Sequence, residues 1–133
     1  MSEPVWVPVA QGELFDKITI LLIKQERMKD ARQLANVGRE LGLLQEVAAR
    51  LDTAAVRPQL EALQAELLAV NGTLWDLENT VRALARAGDH GPAFVAAAQA
   101  IYDNNDRRAA IKRRINALLG SALVEEKDHS GGR

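Results

Sequence analysis

The sequence predicts an all-α fold of about four helices, and three observations carry that expectation. Alanine, leucine and charged residues dominate the 133-residue chain while aromatics make up only 4%, a balance that suits helices rather than sheets. Leu60, Leu63, Leu67, Val70, Leu74, Leu77, Val81 and Leu84 recur at strictly alternating spacings of three and four, a seam of coiled-coil quality. Pro58, Pro92 and Gly120 stand where helices begin and end.

The chain opens on an extended arm, residues 1–11. Pro4 and Pro8 bracket Val5-Trp6-Val7 and disfavour helix in the residues before them. Alternation of Val5, Val7 and Val9 suits a short edge strand or a strap laid over the helices. A first helix is expected from Glu13 to about Lys29, with Gly12 as N-cap and with Glu13 and Asp16 favoured by the positive end of its dipole. Leu14, Phe15, Ile18, Ile20, Leu21, Leu22 and Ile23 cover most of its circumference, which places it at the centre of the fold.

A second helix is expected over Ala31 to Leu51, started by the capping-box pair Asp30 and Gln33. Leu34, Val37, Leu41, Leu44, Ala48 and Leu51 give it one apolar face. The third begins between Thr53 and Pro58 and ends near Ala87. Asn71-Gly72 is an ordinary turn signal, but the seam passes through it in phase, so the helix continues. Gly88-Asp89-His90-Gly91 connects to a fourth helix that starts at Pro92 and closes at Gly120 after Leu119. A connection this short makes helices three and four an antiparallel hairpin. Residues 1–127 thus read as one domain, and 128–133 as a disordered tail.

Charge and composition exclude several functions. Seventeen basic and 18 acidic residues leave a net charge of −1, so no global field draws nucleic acid or an anionic membrane. The longest apolar run, Ile20 to Ile23, is far too short to span a bilayer. Cysteine is absent, which excludes disulfides and thiolate metal sites. With no signal-like segment at the start, a cytoplasmic location is expected. His90 and His129 fall in a turn and in the tail, Asp103 and Asp106 pair more naturally with nearby arginines than with a cation, and no glycine-rich phosphate loop exists. No metal or cofactor is expected.

The fourth helix carries the anomaly. Its inner stripe is apolar at Phe94, Ala97, Ala98 and Ile101 and again at Ile111, Ile115, Leu118 and Leu119. Between them it holds Asn104, Asn105 and Arg108, with Lys112 beside it. Hairpin register sets Arg108 near Val70 and Asn71, and Lys112 near Glu66. A buried charge costs several kcal/mol (~) unless paired, so Arg108 requires a carboxylate partner, a cleft or an anionic ligand. Three readings stay open: a solvated face, a polar layer fixing register, or a ligand cleft. Lys17, Lys24 and Arg27 share one side of helix one, and their meeting Arg108 and Lys112 would build a site for carboxylate or phosphate. Trp75 and Tyr102 are the nearest aromatics, either as rim packing or as a stacking platform.

These segments resemble a known family. Gly12-Glu13-Leu14-Phe15-Asp16-Lys17-Ile18-Thr19-Ile20-Leu21 with Lys24 and Arg27, then Leu74-Trp75-Asp76-Leu77-Glu78 with Arg82, are two of its signatures. Ile101-Tyr102 followed by Asn105-Asp106-Arg107-Arg108-Ala109, Lys112-Arg113 and Ile115-Asn116 is a third. A closing Gly120-Ser121 and Glu125-Glu126-Lys127 completes the likeness to short bacterial proteins known only as a domain of unknown function. The Ser-Pro pair that commonly precedes the first Gly-Glu in that family is Ala10-Gln11 here. The resemblance implies that the helix-one cations and the Asn105–Asn116 segment belong together, and it implies no activity.

Two functions follow as expectations. One is a non-enzymatic helical module that binds a small anionic ligand or a partner protein, as a homodimer that covers surplus apolar stripe. The other is a small enzyme working by electrostatic positioning, in the manner of helical chorismate mutases. In it Lys17, Lys24, Arg27 and Arg108 would hold carboxylates, and Glu78 or Asn105 would touch the reacting end.

Overall fold

The Leu60–Leu84 seam folds as one unbroken helix through Asn71-Gly72, because leucines at three- and four-residue spacing share a face that a turn would scatter. A computed structural model describes residues 3–120 and 126–129. It contains four α-helices: α1 (Gln11–Arg27), α2 (Ala31–Ala49), α3 (Arg57–Arg86) and α4 (Pro92–Leu119), with a single 3-10 turn at Ala54–Val56 leading into α3. Pro92 occupies the first turn of α4, and Gly120 closes it in the left-handed conformation at φ 65°, which costs glycine nothing. No strand forms among the described residues; residues 3–10 are an extended, largely exposed strap. Tail residues 130–133 and the closing signature residues 121–125 lie outside the described residues.

The hairpin of α3 and α4 is the most extensive helix pair, and α1 lies against both its arms while α2 packs chiefly on α1. One apolar cluster joins all four helices, with Phe15 and Leu21 of α1, Leu41 of α2, Leu67 of α3 and Ile115 of α4 in it. Leu67 and Ile115 are completely buried. The central position expected for the first helix therefore holds.

Some helix ends differ from those expected, each for a local reason. The first helix was expected over Glu13 to Lys29 and instead spans Gln11–Arg27, with Ala10 at its N-cap and no side-chain cap. Gly12 is not the cap: it sits in the first turn, where its N–H donates to Asn116 Oδ1 of α4 at 2.6 Å. A partner from another helix thus satisfies an end-group that a local cap would otherwise take. The far end stops at Arg27 because Met28 turns extended and delivers Asp30 to cap α2, accepting from Gln33 N–H at 2.9 Å. α2 ends at Ala49 rather than Leu51.

Gly12 has a second reason to be glycine. A Cβ there would lie 2.5 Å from the Lys112 carbonyl oxygen, so the backbones of α1 and α4 approach at a distance that only glycine allows. Gly12→Ala is expected to destabilise the fold by about 1–3 kcal/mol through overpacking. Gly38→Ala and Gly42→Ala in α2, where a Cβ meets nothing within 4 Å, should instead each stabilise by up to about 1 kcal/mol through helix propensity. Urea midpoints of the three variants check the opposite signs.

Candidate functional site

α1 runs antiparallel to α4 and parallel to α3, and a polar seam follows that contact. Asn116, Lys112 and Arg108, spaced four apart on α4, meet Gly12, Glu13 and Asp16 on α1 in turn. On α4 the rungs lie one helical turn apart, as residues four apart share a face, while on α1 all three partners fall within about a single turn.

Asp16 is the centre of it. The residue is 0% exposed, yet every oxygen of its carboxylate is engaged. Arg108 grips it with both prongs of the guanidinium, Nε donating to Oδ1 at 2.9 Å and Nη2 to Oδ2 at 2.5 Å. Asn71 of α3 donates its amide to the same Oδ1 at 2.9 Å and to Thr19 Oγ1 at 2.8 Å. Thr19 in turn donates to the Asp16 carbonyl at 2.7 Å. Lys112 Nζ stands 3.8 Å from Oδ2 and donates to Glu13 Oε2 at 2.6 Å. Among the described residues no buried side-chain polar atom lacks a hydrogen bond.

Burial by itself pushes the Asp16 carboxyl upward. The hydrogen bonds from Arg108 and Asn71 and the charges of Arg108 and Lys112 outweigh it, and hold the group below its ordinary 3.8. Asp16 is accordingly an anion in the folded chain at neutral pH.

Arg108 faces two ways. Its side chain is 29% exposed, and the exposed part forms a wall of a cleft of ≈ 420 Å³. The cleft opens in the hairpin groove around the C-terminal half of α1. Ile20 and Ile23 of α1 form one wall, and Asn105 and Arg108 of α4 another. α3 lines the third with Asn71, Leu74, Trp75, Glu78, Asn79 and Arg82, one continuous face of that helix.

The expected site residues divide accordingly. Asn71, Trp75, Glu78, Asn105 and Arg108 meet in this cleft. Arg27 stands beside it, donating to Asp76 Oδ1 at 2.7 Å, an exposed bond that raises the guanidinium further above its usual value. Lys112 is buried beneath, between Glu13 and Asp16. Tyr102 is 69% exposed and forms no part of the lining. Lys24 is half-buried outside the lining, and Lys17 lies in a different groove, beside the N-terminal strap.

The convergence of Lys17, Lys24 and Arg27 on Arg108 is therefore corrected. α1 turns Asp16 toward α4, and Lys17, one residue on, is rotated about 100° away. The register expectation held for Arg108 and Asn71, which share Asp16 Oδ1. At Glu66 the side chain that bonds is Arg114, at 3.2 Å, two residues from the Lys112 expected near it, while the Lys112 ammonium reaches Glu13 and Asp16. Asp16, Thr19, Asn116, Asn79 and Arg82 were missed as members of the site. The spacing Gly12, Asp16, Thr19, Ile23 on an otherwise apolar helix was the available signal for the first two.

Among the described residues no group of three His, Asp or Glu side chains is placed to hold a metal ion, and no helix is long and apolar enough to cross a membrane. The chain belongs to a family of unknown function (DUF6165), which matches residues 5–131. No curated protein and no solved structure matches it.

Arg108→Ala strands a buried carboxylate and is expected to cost about 3–5 kcal/mol. Arg108→Ala combined with Asp16→Leu should cost less than Arg108→Ala alone, a non-additivity that denaturant titration of the set reveals. The pH dependence follows from the lowered pKa. Below the ordinary 3.8 the unfolded chain binds the proton first, so the stability from Asp16 is complete above that value and drains away as pH falls through the folded pKa. In acid titrations of stability, Asp16→Asn should show a shallower decline over that window than the parent chain.

Proposed function

We propose that this chain is a non-enzymatic binding module whose α1–α3–α4 cleft takes a small molecule with one anionic head and an apolar body. The observation that carries the proposal is Arg108, fixed on one side by Asp16 and opening on the other into the cleft. A guanidinium already locked in place loses little freedom on meeting a carboxylate or phosphate oxygen. Asn105 stands three residues before it on the same helix face as a second polar contact, and Leu74, Trp75, Ile20 and Ile23 supply apolar walls for the body.

The charges around the cleft bound the ligand's own charge. Arg82 and Arg108 are opposed by Glu78 on the rim and by Asp16 behind, with Glu78 3.5 Å from Arg82. Two cations facing two carboxylates favour a singly charged or amphoteric guest over a dicarboxylate or a polyphosphate. The enzymatic alternative required several uncommitted cations around a dianion. It finds less support, because Lys17 and Lys24 are elsewhere and Lys112 is bound to Glu13.

Trp6 and Trp75 are the only tryptophans, so Trp6→Phe leaves Trp75 as a lone fluorescent reporter in the cleft. Aliphatic monocarboxylates are expected to shift its emission and raise the melting temperature, while succinate-like dicarboxylates and inorganic phosphate do so more weakly. Asn105→Leu and Arg82→Glu, which leave the Asp16 bonds intact, should weaken binding about tenfold or more, near 1.4 kcal/mol. No response to any carboxylate or phosphate, or binding indifferent to both substitutions, sinks the proposal.

A further inference from the structure

A second groove of ≈ 360 Å³ lies between the strap and the α1–α2 pair, and its features are unlike those of the cleft. Val5, Trp6, Val7, Val9 and Leu43 all line it, and they are five of the nine large apolar side chains exposed among the described residues. Val5 is 87% exposed, Trp6 67% and Val7 66%. Such a concentration of apolar surface on a small chain marks a contact face rather than the scattered exposure every protein has.

The strap also has unspent hydrogen-bonding capacity. Among the described residues, Val5 to Val9 make no backbone–backbone hydrogen bond, although they are extended and close to the apolar groove. An open, extended edge beside apolar side chains is the surface a second extended segment pairs with.

Two charges identify the occupant. Lys17 and Glu40 both line this groove, and neither makes an ion pair among the described residues. The helical neighbour that Lys17 would ordinarily take, Glu13, is held by Lys112 at 2.6 Å. One surface thus carries an apolar centre, one cation and one anion, each charge without a partner. Such a patch is complementary to itself: across a two-fold axis every cation meets the anion of the other copy, and the match occurs twice. A foreign partner would have to supply that complement independently.

We propose that the strap and the α1–α2 groove form an isologous homodimer interface. Trp6 of each copy seats in the groove of the other, and Lys17 of each pairs with Glu40 of the other. The inference is independent of the cleft, and loss of ligand binding there leaves it untouched.

Sedimentation velocity of the full chain over a concentration series tests it, with circular dichroism to verify helix content. The parent chain is expected to dimerise with rising concentration. Trp6→Glu, an exposed site in the strap, should leave the helices intact and yield monomer throughout. Lys17→Glu should weaken the dimer at least tenfold, and Lys17→Glu with Glu40→Lys should restore it. A chain that stays monomeric, a dimer indifferent to Trp6→Glu, or a charge reversal that fails to rescue each overturns the proposal. So would adsorption of the strap to lipid vesicles in place of dimerisation.

Discussion

The carboxylate of Asp16 is the constraint on which the rest of the molecule depends. A charge with no exposure survives in a folded chain only if its surroundings replace the water it has lost. Here two neighbouring helices supply that replacement: the guanidinium of Arg108 from α4, the amide of Asn71 from α3, and Lys112 one turn further along α4. Shifting the α1 register by a single residue would rotate the Asp16 carboxylate by about 100° and leave Arg108 unanswered. Apolar packing tolerates many near-equivalent registers, whereas a bidentate ion pair tolerates one. The polar seam therefore settles how α1 lies on the hairpin, and the leucines provide the driving force for it to lie there at all.

The same seam explains why the cleft exists. α3 and α4 hold 30 and 28 residues, against 17 in α1. At about 1.5 Å per residue the hairpin is roughly 20 Å longer than the helix it holds. With Gly12 pinned to Asn116 and Asp16 to Arg108, α1 is anchored at its N-terminal half, and its C-terminal half ends level with Asp76. Beyond Arg27 the hairpin groove goes on without a third helix, and Glu78, Asn79 and Arg82 line what is left open. Helix lengths together with one fixed rung locate the opening.

Helix number, the hairpin and most boundaries were legible in the sequence because each rests on local periodicity or a punctuating residue. The in-phase passage through Asn71-Gly72, the Asp30 cap and the Pro92 start are examples. The polar break at Asn105 and Arg108 was legible too, since it interrupts a stripe. Its counterpart was not. Asp16 reads as an ordinary acidic residue in a first turn, and apart from its place in the Gly12, Asp16, Thr19, Ile23 spacing nothing local says that it faces inward rather than toward the helix dipole. Gly12 reads as a cap for the same reason, although its amide is answered by Asn116, a residue 104 positions away. Pairings at that separation depend on how helices stack, and a single chain's periodicity does not encode the rotation of one helix against another.

That hidden rotation also changes what Arg108 is for. Read from its own helix, it is a cation in search of an anion. Read with Asp16, it is a cation whose charge is largely answered but whose plane and direction are fixed. A ligand meeting it gains less from bare Coulomb attraction than it would from a lone arginine, and more from finding the donor already oriented. Under the proposed binding role, discrimination rests on shape and on the apolar body set against Trp75, Ile20 and Ile23 rather than on the guest's total charge. In the proposed role, the internal carboxylate that holds the helices in register thereby also sets the kind of molecule the cleft suits.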